Sequence, residues 1–145
     1  MSSEQKLDEV IAGLLLLHPL LFRKLHSRIE ISTLEMMRFR ILGITMIAGP
    51  LPISEIGKRL FVSRPYMTRL IDGLIAEGLI ERCPDQKDRR VLKISITDAG
   101  REWFWKTRER LKDRIRELIS NLEEGDIVEL SDALDRLRKV LEKIP

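Results

Sequence analysis

Two stretches with the pattern of short helices follow each other with only Phe61 and Val62 between them. The first covers residues 53–60, and the second runs from about Arg64 to Glu77 with Ser63 in the N-cap position. Because so short a connection forces two helices to cross steeply, this spacing predicts a helix-turn-helix.

The second of these helices has two chemically different faces. One face is apolar at helical spacing and is expected to be buried: Met67, Leu70, Ile71 and Leu74. The opposite face is polar: Arg64, Tyr66, Thr68, Arg69 and Asp72. Guanidinium, phenol and hydroxyl groups can bind phosphate oxygens or base edges when a helix lies in the major groove. A solvent-exposed helix can have the same composition, so this face alone does not identify a ligand.

A charged hairpin is predicted directly after the helix-turn-helix. Residues 80–83 and 91–96 have the pattern of strands, and the second strand alternates, with Leu92, Ile94 and Ile96 on one face. The connecting segment, 84–90, is strongly charged. Its cations are candidates for contact with an adjacent minor groove: Lys87, Arg89 and Arg90. Asp88 is expected to orient an arginine rather than to touch DNA.

The distribution of charge favours a nucleic acid as the partner. The chain has 145 residues and a net charge of only +3, so composition alone does not indicate DNA binding. Residues 53–97, however, have nine basic and six acidic side chains, whereas residues 1–52 have a net charge of +1 and residues 98–145 of −1. The excess positive charge therefore lies on the predicted helix-turn-helix and hairpin, which indicates double-stranded DNA. The alternative is a winged helix used for protein–protein contact without DNA reading.

The flanking regions are predicted to be helical. Residues 1–48 have the pattern of two helices, the second opened by a possible capping box from Ser32 to Glu35. Two longer helices are predicted over about 98–121 and 125–143. The last one has a narrow apolar seam: Ile127, Leu130, Leu134, Leu137, Leu141 and Ile144. Such a seam can pack on helices of its own chain or on a second subunit, and the sequence leaves both possibilities open.

Several classes of protein are disfavoured by what the sequence contains. Cys83 is the single cysteine, which excludes an internal disulfide and a cysteine-cluster metal site and is compatible with the cytoplasm. The longest apolar stretch, residues 10–22, includes His18 and Pro19 and is shorter than a membrane span. Nothing matches a nucleophile with its base, a phosphate-binding loop or a dinucleotide fingerprint. We therefore expect neither an enzyme nor a cofactor, no metal site and no membrane partner.

The chain resembles the MarR family of winged-helix regulators over essentially its full length. The resemblance rests on an ordered series of short motifs: Gly49-Pro50-Leu51, Ser54-Glu55-Ile56, Ser63-Arg64, Thr68-Arg69-Leu70-Ile71-Asp72, Gly78-Leu79-Ile80-Glu81-Arg82, Asp85, Asp88-Arg89-Arg90 and Ile96-Thr97-Asp98-Ala99-Gly100. Each motif is weak alone, but their order and spacing are highly specific.

The resemblance implies a mainly α fold with a small β wing. Residues 49–97 would form the DNA-binding lobe, and 98–145 would form a dimerisation domain together with the first helix of region 1–48. The implied interface comprises Leu7, Val10 and Leu14 of the first helix and the seam of the last helix. Such a homodimer places two recognition helices about one helical turn, or ~34 Å, apart on a pseudo-palindrome.

The resemblance also implies specific contacts and a mode of regulation. Its recognition-helix positions correspond to Ser63, Arg64, Pro65, Tyr66, Thr68 and Arg69, and its wing-tip arginine to Arg90. Many members of the family bind a small aromatic or phenolic effector in the crevice between the two lobes, which weakens DNA binding. The chain departs from the family pattern at Gly57, at the turn 61–62, and at Pro65 and Tyr66. These departures concern the operator sequence and leave the expected fold unchanged.

Overall fold

The computed structural model describes residues 2–26 and 28–145. The elements follow in the order α1 (Ser3–His26), α2 (Thr33–Ala48), β1 (Leu51–Pro52), α3 (Ile53–Leu60), α4 (Arg64–Ala76), β2 (Ile80–Pro84), β3 (Leu92–Ile96), α5 (Asp98–Ile119) and α6 (Glu124–Leu141). The three strands form an antiparallel sheet in the order β1-β3-β2. This is the mainly α fold with a small β wing that the sequence predicts. None of the described helices is both long and apolar enough to cross a membrane.

The sheet contains one strand that the sequence analysis missed. Leu51 and Pro52 pair with Ile94 and Lys93 of β3. Two residues are too few to show an alternating pattern, and the proline is tolerated because β1 lies at the edge of the sheet. β1 joins the end of α2 to the wing hairpin.

The main core lies between α2, the helix-turn-helix and the sheet. The residues of the predicted apolar stripe on α4 are all buried: Met67, Leu70, Ile71 and Leu74. Ile94 and Ile96 are also buried, as the alternation in β3 predicts, but Leu92 is 52% exposed. Leu92 lies at the end of β3 that leads into the hairpin turn, opposite Pro84, where the strands extend beyond the core. The predicted alternation therefore holds for two of its three residues.

Aromatic stacking joins α5 to α2. The ring of Phe104 lies parallel to that of Phe39, with 4.6 Å between the ring centroids. Gly43 makes room for this pair, since a Cβ atom there would lie 3.1 Å from the Phe104 ring. Trp105, the next residue, is half exposed. α5 thus contributes the Phe104 ring to the core of the winged lobe, and the half-buried Trp103 packs against that core.

The start of α5 is also fixed to the start of β2. The Thr97 hydroxyl donates to the Gly78 carbonyl (2.6 Å) and accepts from the Gly100 amide (3.1 Å) as the N-cap of α5. The Thr97 amide donates to the Leu79 carbonyl at 3.1 Å. A Cβ atom on Gly100 would lie 2.0 Å from that same carbonyl oxygen. The motif from Thr97 to Gly100 therefore provides a close backbone junction between the wing and the long helix.

The capping box predicted at the start of α2 is only half formed. The Ser32 hydroxyl accepts from the Glu35 amide at 3.1 Å. The Glu35 carboxylate, instead of returning to the Ser32 amide, pairs with Arg110 of α5. A reciprocal capping box is found at the start of α6, between Glu123 and Asp126.

The two terminal helices leave most of their apolar side chains exposed. Leu7, Val10 and Leu14 of α1 are exposed, and no residue of α6 is buried. Among the seam residues only Leu137 is half-buried. The alternative in which the seam packs on helices of its own chain is therefore wrong for the single chain.

The last seam residue, Ile144, lies outside α6, which ends at Leu141 rather than near the predicted residue 143. Pro145 follows Ile144 and disfavours helical backbone in the residue before it. The helical part of the seam thus runs from Ile127 to Leu141.

Candidate nucleic-acid interface

The helix-turn-helix is closed by an unusual turn. Phe61 has a left-handed backbone with φ of 54°, and its amide donates to the Lys58 carbonyl at 3.3 Å. The Val62 amide reaches back to the Gly57 carbonyl at 3.0 Å. A Cβ atom on Gly57 would lie 3.3 Å from the Val62 carbonyl oxygen, which is tight for real side chains. Gly57 therefore permits the close approach of the turn.

The predicted contact residues on α4 lie mostly at the surface. Five of them are exposed: Ser63, Arg64, Pro65, Tyr66 and Arg69. Thr68 is half-buried, and its hydroxyl donates to the Arg64 carbonyl at 3.0 Å. The Arg69 guanidinium lies over the Tyr66 ring, 5.8 Å from its centroid. The N-terminal half of α4 therefore presents two guanidinium groups and one phenol to solvent.

Ser63 occupies the predicted N-cap position but does not act through its side chain. Its backbone is extended, and its carbonyl accepts the first helical hydrogen bond from the Met67 amide at 2.9 Å. Its hydroxyl makes no capping bond. Pro65 lies in the first turn of α4, where the helix needs no amide donor from it.

A salt bridge that the sequence analysis did not predict joins α4 to the wing. Asp72 accepts from Arg82 of β2 at 2.7 Å. The two residues are ten positions apart and belong to different elements, so no local pattern indicates the pair. The contact holds the polar face of α4 beside the base of the wing.

The hairpin turn is organised by Asp85, which was not among the predicted site residues. Its carboxylate lies 2.8 Å from the Lys93 ammonium and accepts from the amides of Lys87 (3.3 Å) and Asp88 (3.1 Å). The Lys93 ammonium, and then the Asp88 amide, hold the pKa of Asp85 below its ordinary value. An aspartate that bonds amides two and three residues later is a common turn signal, and it could have identified Asp85.

At the tip of the wing, Asp88 and Arg90 form a two-point pair. Arg90 Nε donates to Asp88 Oδ1 at 3.1 Å, and a terminal nitrogen donates to Oδ2 at 3.2 Å. The Arg90 guanidinium lowers the pKa of Asp88. The side chain of Arg90 is nonetheless 91% exposed. Lys87 and Arg89 are exposed beside it. Asp88 therefore holds the Arg90 guanidinium in place, and its role in orienting that arginine toward DNA stays a prediction.

An apolar cavity of about 420 Å³ lies between α1, α2 and α5. Leu21 and Phe22 of α1, Met36 and Phe39 of α2 and Leu111 of α5 line it. Two nitrogen-bearing side chains, His18 and Arg40, also line it. An apolar space with a guanidinium group at its wall suits an aromatic anion. No cluster of three or more metal-binding side chains occurs within the part of the chain that the structure describes.

Comparison with known proteins finds similarity to transcriptional regulators in sequence and in structure. Residues 32–91 match the sequence model of the MarR family. The chain is 29% identical to an uncharacterised HTH-type transcriptional regulator, YpoP, of Bacillus subtilis over 81% of this chain and 87% of that protein. It is 27% identical to the multiple antibiotic resistance protein MarR of Salmonella typhimurium, over 79% of this chain and 81% of the other. It also superposes on the transcriptional regulator BldR of Sulfolobus solfataricus with a TM-score of 0.71 and 26% identity, over 99% of this chain and 100% of that chain.

Proposed function

We propose that this chain is a winged-helix transcription regulator of the MarR family, a homodimeric repressor that binds a pseudo-palindromic operator and is released by a small aromatic or phenolic effector. The proposal assigns the DNA-binding lobe to residues 49–97. It assigns dimerisation to the first helix and to residues 98–145, and places the protein in the cytoplasm.

The observation that carries the DNA-reading part is the set of exposed cations on α4 and on the wing. Arg64 and Arg69 lie on the outer face of α4, whose apolar face is buried, so α4 can enter a major groove without unfolding. Lys87, Arg89 and Arg90 project from the wing, where they can reach the backbone or a minor groove. Phosphate contacts of this kind supply most of the affinity for DNA.

The homodimer is supported by the apolar surface of α1 and α6. A single chain leaves all the predicted interface residues except the half-buried Leu137 exposed, and apolar surface of this extent marks a contact site. Two copies that share this surface would hold two winged lobes at a fixed distance. A spacing of ~34 Å would place both recognition helices in successive major-groove faces.

The contacts of α2 suggest how an effector would act. Met36 and Phe39 line the cavity, and Phe39 stacks on Phe104 of α5. Arg38, on the same helix, forms a 2.8 Å salt bridge with Glu77 at the end of α4. A ligand that moves α2 would therefore also move the recognition helix. A difference of ~2–3 kcal/mol in ligand affinity between the two lobe spacings would change DNA binding by tens to over a hundred fold.

A salt series tests the DNA-binding step directly. Affinity for a mixed-sequence duplex should fall with a log–log slope of roughly −5 or steeper if six or more phosphates are contacted. Arg64→Ala should flatten the slope by about one. Arg116→Ala removes the same charge from α5, outside the proposed DNA contacts and away from the named dimer contacts, and should leave the slope unchanged. A flat response of the native protein would favour a protein–protein module instead.

The cavity can be tested without knowing the effector. Met36→Trp would place additional ring atoms in the cavity and should weaken DNA binding as a ligand does. Met36→Leu, which nearly conserves volume, is the control. If the folded Met36→Trp protein binds DNA as tightly as the control, occupancy of this cavity does not govern DNA release.

A further inference from the structure

Phe61 stands out as an aromatic side chain that the fold does not use. Its side chain is 97% exposed, although it belongs to one of the largest apolar residue types. Its backbone has a left-handed φ of 54°, and it is the C-cap of α3. Glycine is the usual residue in this conformation because a side chain there is strained. The phenyl ring therefore adds conformational cost and no packing inside the chain.

The surroundings of Phe61 combine apolar surface with unpaired positive charge. Phe61 lines a concavity of about 520 Å³ between α3 and the start of α4, together with Val62 and Met67. Lys58 and Arg64 line the same concavity and are exposed. Neither cation forms an ion pair with any of the residues described in the structure.

A strand of DNA has matching chemistry. Along its backbone, negatively charged phosphates alternate with deoxyriboses, whose carbon atoms form an apolar surface. Lys58 and Arg64 suit two phosphates, and the Phe61 ring suits a sugar. An acidic or apolar protein partner would match only one of these two properties. The concavity is also continuous with the proposed interface, because Arg64 belongs to both.

We propose that Phe61 packs against a deoxyribose of the DNA backbone beside the recognition helix, flanked by phosphates bound to Lys58 and Arg64. This proposal rests on the proposed function, since it adds a contact to the same DNA interface. A sugar contact positions the protein on DNA and reads no base.

The test compares three variants with the native chain on one mixed-sequence duplex. Phe61→Gly should bind about tenfold more weakly, the order expected when one ring no longer leaves water on binding. Its salt slope should be unchanged, because no phosphate contact is lost, and its thermal midpoint should be equal or higher. Phe61→Leu keeps most of the apolar surface and should lose much less affinity. Lys58→Gln should flatten the slope by about one.

The outcomes separate the two proposals. If the native protein binds the duplex and Phe61→Gly binds it equally tightly, the Phe61 contact is overturned and the proposed function stays intact. Failure of the native protein to bind the duplex would overturn the proposed function itself. A loss of affinity that disappears when deoxyuridine replaces thymidine would also overturn the sugar contact, because the ring would then be reading thymine methyl groups.

Discussion

The junction between α5 and β2 makes Gly100→Ala a severe substitution. The added Cβ atom would lie 2.0 Å from the Leu79 carbonyl oxygen and 2.8 Å from Cγ1 of Ile96. The Leu79 oxygen belongs to backbone that already accepts the Thr97 amide, so it cannot move aside as a flexible side chain can. We expect the start of α5 to be displaced from the wing.

The size of the effect follows from three contributions. Overpacking at a close contact costs about 1–3 kcal/mol. Weakening the two Thr97 bonds to Gly78 and Leu79 costs about 1 kcal/mol each. Alanine is favoured over glycine in a helix by roughly 0.5–1 kcal/mol, which opposes both. The free energy of unfolding should therefore fall by about 3 kcal/mol.

Urea unfolding at fixed protein concentration measures this quantity, because the stability of a dimer depends on concentration. Gly73→Ala is the matched control in the same lobe. Its added Cβ atom would meet only the end of the Arg38 side chain, at 3.9 Å. It should be neutral or stabilising by up to about 1 kcal/mol. Equal stability of Gly100→Ala and the native protein would refute the argument from backbone overlap.

Three further predictions concern the wing and the dimer. Arg90→Ala should weaken operator binding by ~1–3 kcal/mol and leave the thermal midpoint unchanged, because the side chain is 91% exposed; unchanged affinity by fluorescence anisotropy would contradict a role for the wing. Leu134→Glu should give monomers by light scattering, since Leu134 is 56% exposed in the single chain, and a stable folded dimer would show that Leu134 is not at the interface. The Asp85 carboxyl should titrate by NMR below its ordinary pKa of 3.8. The ionised carboxylate therefore stabilises the wing at neutral pH, and this stabilisation is lost as the pH falls through the lowered pKa. Lys93→Met should raise the pKa of Asp85 and leave that of Glu102, which Lys106 lowers, unchanged.

The sequence was sufficient for the elements whose patterns are local. The two-residue turn and the apolar stripe of α4 located the helix-turn-helix, because helical periodicity and a connection of only two residues constrain how the two helices are arranged. Alternation in 91–96 and the charged segment before it located the wing. The order of the motifs from Gly49 to Gly100 then indicated the MarR family, and residues 32–91 match the sequence model of that family.

Contacts between distant residues required the tertiary structure. The Asp72–Arg82 salt bridge, the Phe39–Phe104 stack and the overlap that excludes a side chain at Gly100 join elements whose separation no periodic pattern encodes. The left-handed backbone of Phe61 is likewise a property of the turn geometry, since the residue type argues against it.

The flanking helices show the limit of what the sequence alone can determine. Periodicity in α6 established that one face is apolar, but a helix that packs on its own chain and a helix that packs on a second subunit need the same spacing. In the folded chain the seam from Ile127 to Leu141 has no buried residue, which argues against packing on the chain's own helices. The sequence by itself determined the helix-turn-helix, the wing and the apolar seam, because each depends on neighbours within a few residues. The tertiary structure decided how the winged lobe is attached to α5 and which apolar faces stay exposed. Both depend on packing between parts of the chain that are far apart in sequence.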